Sequence, residues 1–217
     1  HFKDPVMASS SSFTEGSSVF GGGSNLKTAV KNIFHIYDPK IIAVHTTCLS
    51  ETIGDDLNAL IQGMDIPDGK YVVHTNTPSY KGSHITGFSN MVASFIQYLS
   101  VSSGKSNGKL AIFPGFVNPG DMRELKRIAE IMGVSYIMLP DTSGVLDSPM
   151  TGKFSLYPNG GTKVEDIIQL GDCISSIAFG KFSSEAAAEV LYKKCHVKYQ
   201  LLPLPIGIGR TDDYILE

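Results

Sequence analysis

The sequence predicts an α/β fold, a doubly wound and mostly parallel sheet with helices on both faces, as in Rossmann-like domains. Short apolar runs rich in β-branched residues recur along the chain, and they lack the polar alternation of a half-exposed strand. Between them, longer segments carry apolar residues at helical spacing. The predicted strands are 41–44, 71–74, 110–113, 136–139, 174–179 and 199–201. We expect the first four to be parallel neighbours, because each is followed by a helix.

Helices are predicted between these strands, and the first helix is preceded by a polar segment. Residues 1–5 resemble the end of a helix stopped by a proline, and residues 7–24 form a Ser/Gly-rich loop or linker. A helix then begins with Ser24 or Asn25 as its N-cap. The glycine triplet before it is also compatible with a phosphate cradle, but no strand precedes it and no nucleotide-binding pattern is complete. The later helices are predicted at 52–62, 85–99, 120–132, 162–169 and 184–194.

This pattern divides the chain into three segments. Residues 1–24 form an amino-terminal loop region, 25–140 an α/β domain, and 141–217 a long loop with further α/β units. The loop from 140 to 161 exceeds the length of an ordinary connection, so we interpret it as a lid or a partner surface. The chain begins without an initiator methionine and ends in an incomplete helix pattern. We therefore expect an internal fragment, with a helix missing upstream and a truncated carboxyl end.

Composition excludes several classes of function. The net charge is -3 and the isoelectric point is about 6.1, and the lysines and arginines are scattered along the chain. Without a basic patch, no nucleic-acid partner is expected. No apolar run approaches the roughly 20 residues of a membrane span, and the amino end lacks a signal-peptide pattern. We expect a cytoplasmic protein with no membrane partner.

Cys48 is the candidate functional centre. It follows the predicted strand 41–44, and open parallel sheets bind their ligands at the carboxyl ends of their strands. Ser50 or Thr52 is positioned to cap the helix that follows. By burial statistics alone, a single cysteine is more often a small buried apolar residue than a ligand. The local spacing leaves both interpretations open.

The other candidate ligands are few. The chain has three cysteines without C-x-x-C spacing, so a metal site at Cys48 needs ligands from elsewhere. We interpret Cys173 and Cys195, at the ends of predicted elements, as structural. The polar segment 75–84 follows the second strand and is expected to face the same site as Cys48. Within it, His84 is interpreted as a capping or surface residue rather than as a ligand.

Several short stretches together resemble the beta chain of nitrogenase, and the likeness covers nearly the whole chain. They are HFKDP at 1–5, VFGG at 19–22, TTC at 46–48, IGDDL at 53–57, TPSY at 77–80, GSHITG at 82–87, PGF at 114–116 and PIG at 205–207, with His74 beside them. His45, the LSET of 49–52, the HTNT of 74–77 and the glycine triplet most resemble the vanadium type of this chain.

The resemblance implies a relay of electrons rather than a catalytic site on this chain. In that family, alpha and beta chains form a heterotetramer, with an accessory delta chain in the vanadium type, and an ATP-hydrolysing iron protein delivers electrons. An eight-iron, seven-sulfur P-cluster at the alpha-beta interface passes them to an iron-vanadium cofactor in the alpha chain, where dinitrogen is reduced to ammonia.

The resemblance also assigns roles to three residues. Cys48 matches the third cluster cysteine of the beta chain, and Ser79 matches a serine whose hydroxyl can ligate the oxidised cluster. Asp4 matches a carboxylate of an interface cation site. The other two beta-chain cysteines belong upstream of His1, so this chain alone is not expected to be active. The alternatives are a molybdenum or iron-only beta chain, a cofactor-assembly scaffold chain, and a cluster-free α/β binding module in which Cys48 is structural.

Overall fold

The structure, a computed structural model, describes residues 8–12, 15–149, 152–153 and 155–217. The expected helix end at 1–5, which includes Asp4, lies outside the described residues. The helices are α1 (Glu15–Phe20), α2 (Gly23–Tyr37), α3 (Cys48–Ile53), α4 (Leu57–Gln62), α5 (His84–Leu99), α6 (Pro119–Ile131), α7 (Val164–Gln169), α8 (Lys181–Cys195) and α9 (Ile208–Leu216), with a short 3-10 turn at Leu170–Asp172. The strands are β1 (Ile41–His45), β2 (Tyr71–Thr75), β3 (Leu110–Phe113), β4 (Tyr136–Met138), β5 (Ser175–Phe179) and β6 (Tyr199–Leu202).

Every strand pair within the described residues is parallel, which confirms the predicted α/β class. One expectation about the sheet is wrong. The first four predicted strands do not lie side by side in a single sheet, because β1 pairs with β2 in one sheet and the other has the order β4-β3-β5-β6. A strand has two hydrogen-bonding edges, and those of β3 are taken by β4 and β5. No edge of β3 is left for β2.

The chain forms two compact units, one made by the described residues up to Met91 and one by Val92–Glu217. In the second unit, α6 turns Met122, Leu125 and Ala129 towards the sheet at helical spacing, and Tyr214 of α9 joins this core. The Tyr214 hydroxyl donates a hydrogen bond to the Leu125 carbonyl at 3.2 Å, and burial raises its pKa to about 12. The core residues of this cluster are Ile112, Met122, Leu125, Ala129, Met138, Ile177, Phe179 and Tyr214.

Helix α8 packs along β5 in the same unit. Its buried positions are small or aliphatic, namely Ser184, Ala187, Ala188 and Leu191. Gly115, which follows β3, lies against the start of this helix with φ of 79°. A Cβ atom there would lie 2.8 Å from the Phe179 carbonyl oxygen, so both the turn and the close approach require glycine.

In the first unit, α2 and α4 cover the β1–β2 pair through Val30, Phe34, Ile42, Ile61 and Val72. Sequence reasoning expected β1 to be covered on both faces. Instead, the side chains of Ala43 and His45 are exposed. A continuous apolar run predicts burial on average, but the actual cover depends on which helices lie over each face.

Two further local predictions are wrong. The segment 7–24 is not wholly a loop, since it contains α1 and the start of α2, and the predicted helix 52–62 is two helices. Gly54 adopts φ of 85° and ends α3, and the Asp56 carboxylate begins α4 by accepting a hydrogen bond from the Ala59 N–H at 3.1 Å. The remaining predicted elements agree closely with the observed ones.

The N-cap of α2 is Gly22 rather than Ser24 or Asn25. The Gly22 N–H donates to both carboxylate oxygens of Asp55, at 3.1 Å each. The Asp55 carboxylate, distant in sequence, therefore accepts the hydrogen bond of the amide at the helix start. A bound phosphate would need this same amide. This contact disfavours the phosphate-cradle interpretation of the glycine triplet.

Over the part of the chain that the structure describes, no helix combines the length and the apolar character that crossing a bilayer requires.

The core of the second unit provides a stability test on a single helix. Leu125 is 2% exposed and Ile131, near the end of α6, is 71% exposed. We expect Leu125→Ala to lower the free energy of unfolding by about 2–5 kcal/mol, because it removes buried methyl groups and leaves a cavity. Ile131→Ala, the matched control, should change it by less than about 0.5 kcal/mol. Urea unfolding followed by circular dichroism measures both, and equal effects would contradict the described packing.

The Asp55 contact provides a second test, in the first unit. We expect Asp55→Ala to destabilise that unit by about 1 kcal/mol, because the start of α2 loses its anionic acceptor. Asp68→Ala removes an exposed carboxylate from a turn of the same unit and should have almost no effect. Hydrogen exchange at the first amides of α2 reports the difference. Unchanged exchange at the Gly22 amide in Asp55→Ala would show that the carboxylate does not cap this helix.

Candidate functional site

Cys48 is the first residue of α3, three residues beyond the end of β1, and it is exposed. The turn around it is held by a capping box, in which the Thr47 N–H donates to Ser50 Oγ at 3.1 Å. Ser50 thus takes part in the cap as predicted, although the N-cap itself is Thr47. Thr52 Oγ1 donates to the Cys48 carbonyl at 2.7 Å instead of capping. The exposure of Cys48 argues against a packing role for this thiol.

The loop that follows β2 lies against the Cys48 turn. Thr46 Oγ1 accepts a hydrogen bond from the Thr77 N–H at 2.7 Å, and Thr77 Oγ1 donates one to the Thr46 carbonyl at 2.9 Å. These bonds join the two loops just past the last paired residues of β1 and β2, His45 and Thr75. Cys48 stands two residues after Thr46, and Ser79 stands two residues after Thr77. The structure therefore brings together the two strand-end loops that the sequence predicted to share a site.

Ser79 lies on an open cavity of about 780 Å³ in the first unit. The cavity is lined by the loop after β2, by the start of α5 and by Glu51 of α3. Glu51 is one helical turn beyond Cys48, and three-residue spacing puts the two side chains on neighbouring positions of the helix surface. The lining includes the Ser79 hydroxyl, Lys81 and His84. His84 is exposed at the first position of α5, as expected of a surface residue.

Two buried polar residues of the first unit, Thr46 and His74, belong to the strands and turns behind these loops. Thr46 is 5% exposed, and its hydroxyl donates to Glu51 Oε1 at 2.5 Å. His74, on β2, is buried, and burial lowers the pKa of its imidazole, while the Asp56 carboxylate partly opposes this change. His74 is therefore neutral at neutral pH. Sequence reasoning gave Thr46 and Glu51 no role in the site, and a signal for Thr46 existed in the polar residue directly after an apolar strand.

The other two cysteines belong to the second unit and differ from Cys48. Cys173 is buried, and this burial raises the pKa of its thiol to about 11, so it is a poor source of thiolate. Cys195 is partly buried with its Sγ 3.9 Å from Ser100 Oγ. Both environments support the structural interpretation of these residues.

Among the described residues, no three His, Cys, Asp or Glu side chains converge as a metal site requires. A thiol at Cys48 and a hydroxyl at Ser79 are nevertheless chemically suited to iron-sulfur ligation, because a soft sulfur donor binds such clusters and an oxygen donor favours a more oxidised iron.

Comparisons with known proteins show which family the chain resembles. The profile of the family described as nitrogenase component 1 type oxidoreductase matches residues 1–217. The chain is 58% identical over 220 residues to the nitrogenase molybdenum-iron protein beta chain of Clostridium pasteurianum, and 36% identical over 227 residues to that of Azotobacter vinelandii. It covers 48% and 43% of those two proteins, so it spans about half the length of the curated relatives that it matches.

Solved structures of nitrogenase are also similar to this chain. The structure of nitrogenase Cp1 at pH 6.5 superposes on the whole chain with a TM-score of 0.96 at 58% identity, and the match covers 48% of that protein chain. A chain of nitrogenase Cp1 at pH 5, only 18% identical, shares the fold over 88% of this chain with a TM-score of 0.63. With the family profile matched from the first residue to the last, the chain belongs to the nitrogenase component 1 type oxidoreductases.

Proposed function

We propose that this chain is part of the beta chain of a molybdenum-iron nitrogenase, where it helps to hold the P-cluster that relays electrons towards the site of dinitrogen reduction. The observation that carries the proposal is the pair of hydrogen-bonded loops that present Cys48 and Ser79 at the carboxyl ends of β1 and β2. Parallel sheets bind their ligands at this edge. No paired acid and base is needed for an electron relay, and the sequence lacks the spacing of one.

The metal type follows from the relatives rather than from the site. Sequence reasoning favoured the vanadium type, with its delta chain and its iron-vanadium cofactor in the alpha chain. That expectation finds no support, because the similar proteins described above are molybdenum-iron beta chains. The molybdenum alternative is the better supported one, and with it a cofactor of the molybdenum type in the alpha chain.

The cluster, when bound, stores and passes on electrons. The part of this chain is to hold its own donors in place. Hydrogen bonds of Ser50 and Thr52 hold the backbone on either side of Cys48, whose thiol is exposed. Ser79 lies on the open cavity, where its hydroxyl is accessible to a bound group. The further cysteine ligands are expected in the whole protein. Its expected partners, in the cytoplasm, are the alpha chain and the iron protein.

Two alternatives are less favoured. A cofactor-assembly scaffold would share the fold, but the relatives with the highest identities here are beta chains of the enzyme. A cluster-free binding module would use Cys48 for packing, and its exposure argues against that use. The proposed cation ligand Asp4 lies outside the described residues and stays a prediction.

The first functional test concerns the thiol. In the full-length beta chain assembled with its alpha chain, we expect Cys48→Ala to lower the iron content and to alter the electron paramagnetic resonance of the P-cluster, with a loss of substrate reduction. The exposed position means that the fold itself should remain stable. Cys195→Ala, which changes a cysteine of the other unit, is the control and should keep iron content and spectra. Wild-type iron and spectra in Cys48→Ala would refute the proposed ligand.

The second functional test concerns the hydroxyl. Ser79→Ala should keep the iron content and the spectrum of the reduced complex, and change the spectrum only after oxidation, because an oxygen donor favours the more oxidised iron. Ser83→Ala removes a hydroxyl from the same cavity lining and serves as the control. An oxidised spectrum that Ser79→Ala leaves unaltered would remove Ser79 from the ligand set.

A further inference from the structure

The geometry points to Thr46 as a positioning residue that sets the distance between the Cys48 turn and the Ser79 loop, and thereby controls how the Ser79 hydroxyl reaches a bound cluster. This inference rests on the proposed function, since it concerns the placement of the two proposed ligands. Thr46 itself is not a ligand in this proposal, because its hydroxyl is already engaged inside the protein.

The ladder of the β1–β2 pair ends before either proposed ligand. Its last matched pair is His45 with Thr75, and beyond it the Thr46 N–H approaches the Thr75 carbonyl at 3.4 Å, which is longer than a typical hydrogen bond. From this point the backbones separate, one into α3 and the other into the Ser79 loop. Beyond this point, hydrogen bonds of side-chain hydroxyls connect the two backbone segments.

Thr46 has the central place in that junction. A hydroxyl offers one donor and two acceptor positions, and Thr46 Oγ1 uses both functions. It donates to Glu51 Oε1 at 2.5 Å and accepts from the Thr77 N–H at 2.7 Å. One buried oxygen thus connects α3, one turn after Cys48, with the loop two residues before Ser79.

The strength of the junction comes from burial and charge. Thr46 Oγ1 donates its hydrogen bond to the Glu51 carboxylate, and hydrogen bonds to ionised groups are stronger than those between neutral groups. Removal of the hydroxyl would leave the Thr77 amide without its acceptor, while the reciprocal bond from Thr77 Oγ1 to the Thr46 carbonyl is retained. We therefore expect the loops to stay close but to lose their fixed separation.

The test compares Thr46→Val, which has nearly the same shape without the hydroxyl, with Thr46→Ser, which keeps it. In the assembled complex, Thr46→Val should retain its iron and should raise the midpoint potential of the oxidised couple of the cluster, as loss of the Ser79 oxygen itself would. The reason is that a less well placed oxygen donor stabilises the oxidised iron less. Amide exchange at Thr77 should accelerate at least tenfold in Thr46→Val.

The controls separate positioning from stability. Thr46→Ser should restore both the potential and the Thr77 exchange, and Thr28→Val, which removes an exposed hydroxyl bound to Ser24 O on α2, should change neither. If Thr46→Val does not assemble, Thr77→Val removes the reciprocal hydroxyl and should shift the potential in the same direction. A wild-type potential in whichever of the two variants assembles would overturn the inference.

Failure of the inference and failure of the proposed function give different results. If Cys48→Ala loses iron and Ser79→Ala changes the oxidised spectrum while the Thr46 variants match wild type, only the positioning role is wrong. If Cys48→Ala keeps its iron and its spectra, the proposed function fails and the positioning role fails with it.

Discussion

The parallel pairing of β1 with β2 is the interaction on which the candidate site depends. It aligns the two strands so that both leave the sheet at the same edge, and it places Thr46 beside Thr77 directly after the ladder. Every later feature of the site follows from this register. A shift by one residue would turn Thr46 to the other face of the sheet, and the hydroxyl junction would be lost.

The cysteines of this chain lie in different environments. Cys173 lies in the core of the second unit, where burial raises its pKa and keeps the thiol protonated. Cys48 stands at a helix start on the surface, held by hydrogen bonds to its neighbours rather than by packing. A ligand needs this combination of exposure and a fixed backbone, because an exposed but mobile thiol would lose conformational entropy on binding.

The described part of the site is one-sided. One exposed thiol and one hydroxyl on an open cavity do not enclose a metal group by themselves among the described residues. This arrangement agrees with the proposed function, in which the cluster is shared between chains. The present chain spans about half the length of its relatives. The exposed residues Ala43 and His45 of β1 lie in the same unit.

The sequence by itself determined the fold class, the positions of the strands and the two loops of the site, because apolar runs and their turns are local signals. The expected ligands Cys48 and Ser79 came from a resemblance to a family, since one cysteine has no informative spacing. Only the tertiary structure decided that the strands form two sheets, that Asp55 caps α2, and that Thr46 joins the two loops. Those contacts join residues about 30 positions apart or more, and local propensity carries no information about such pairs.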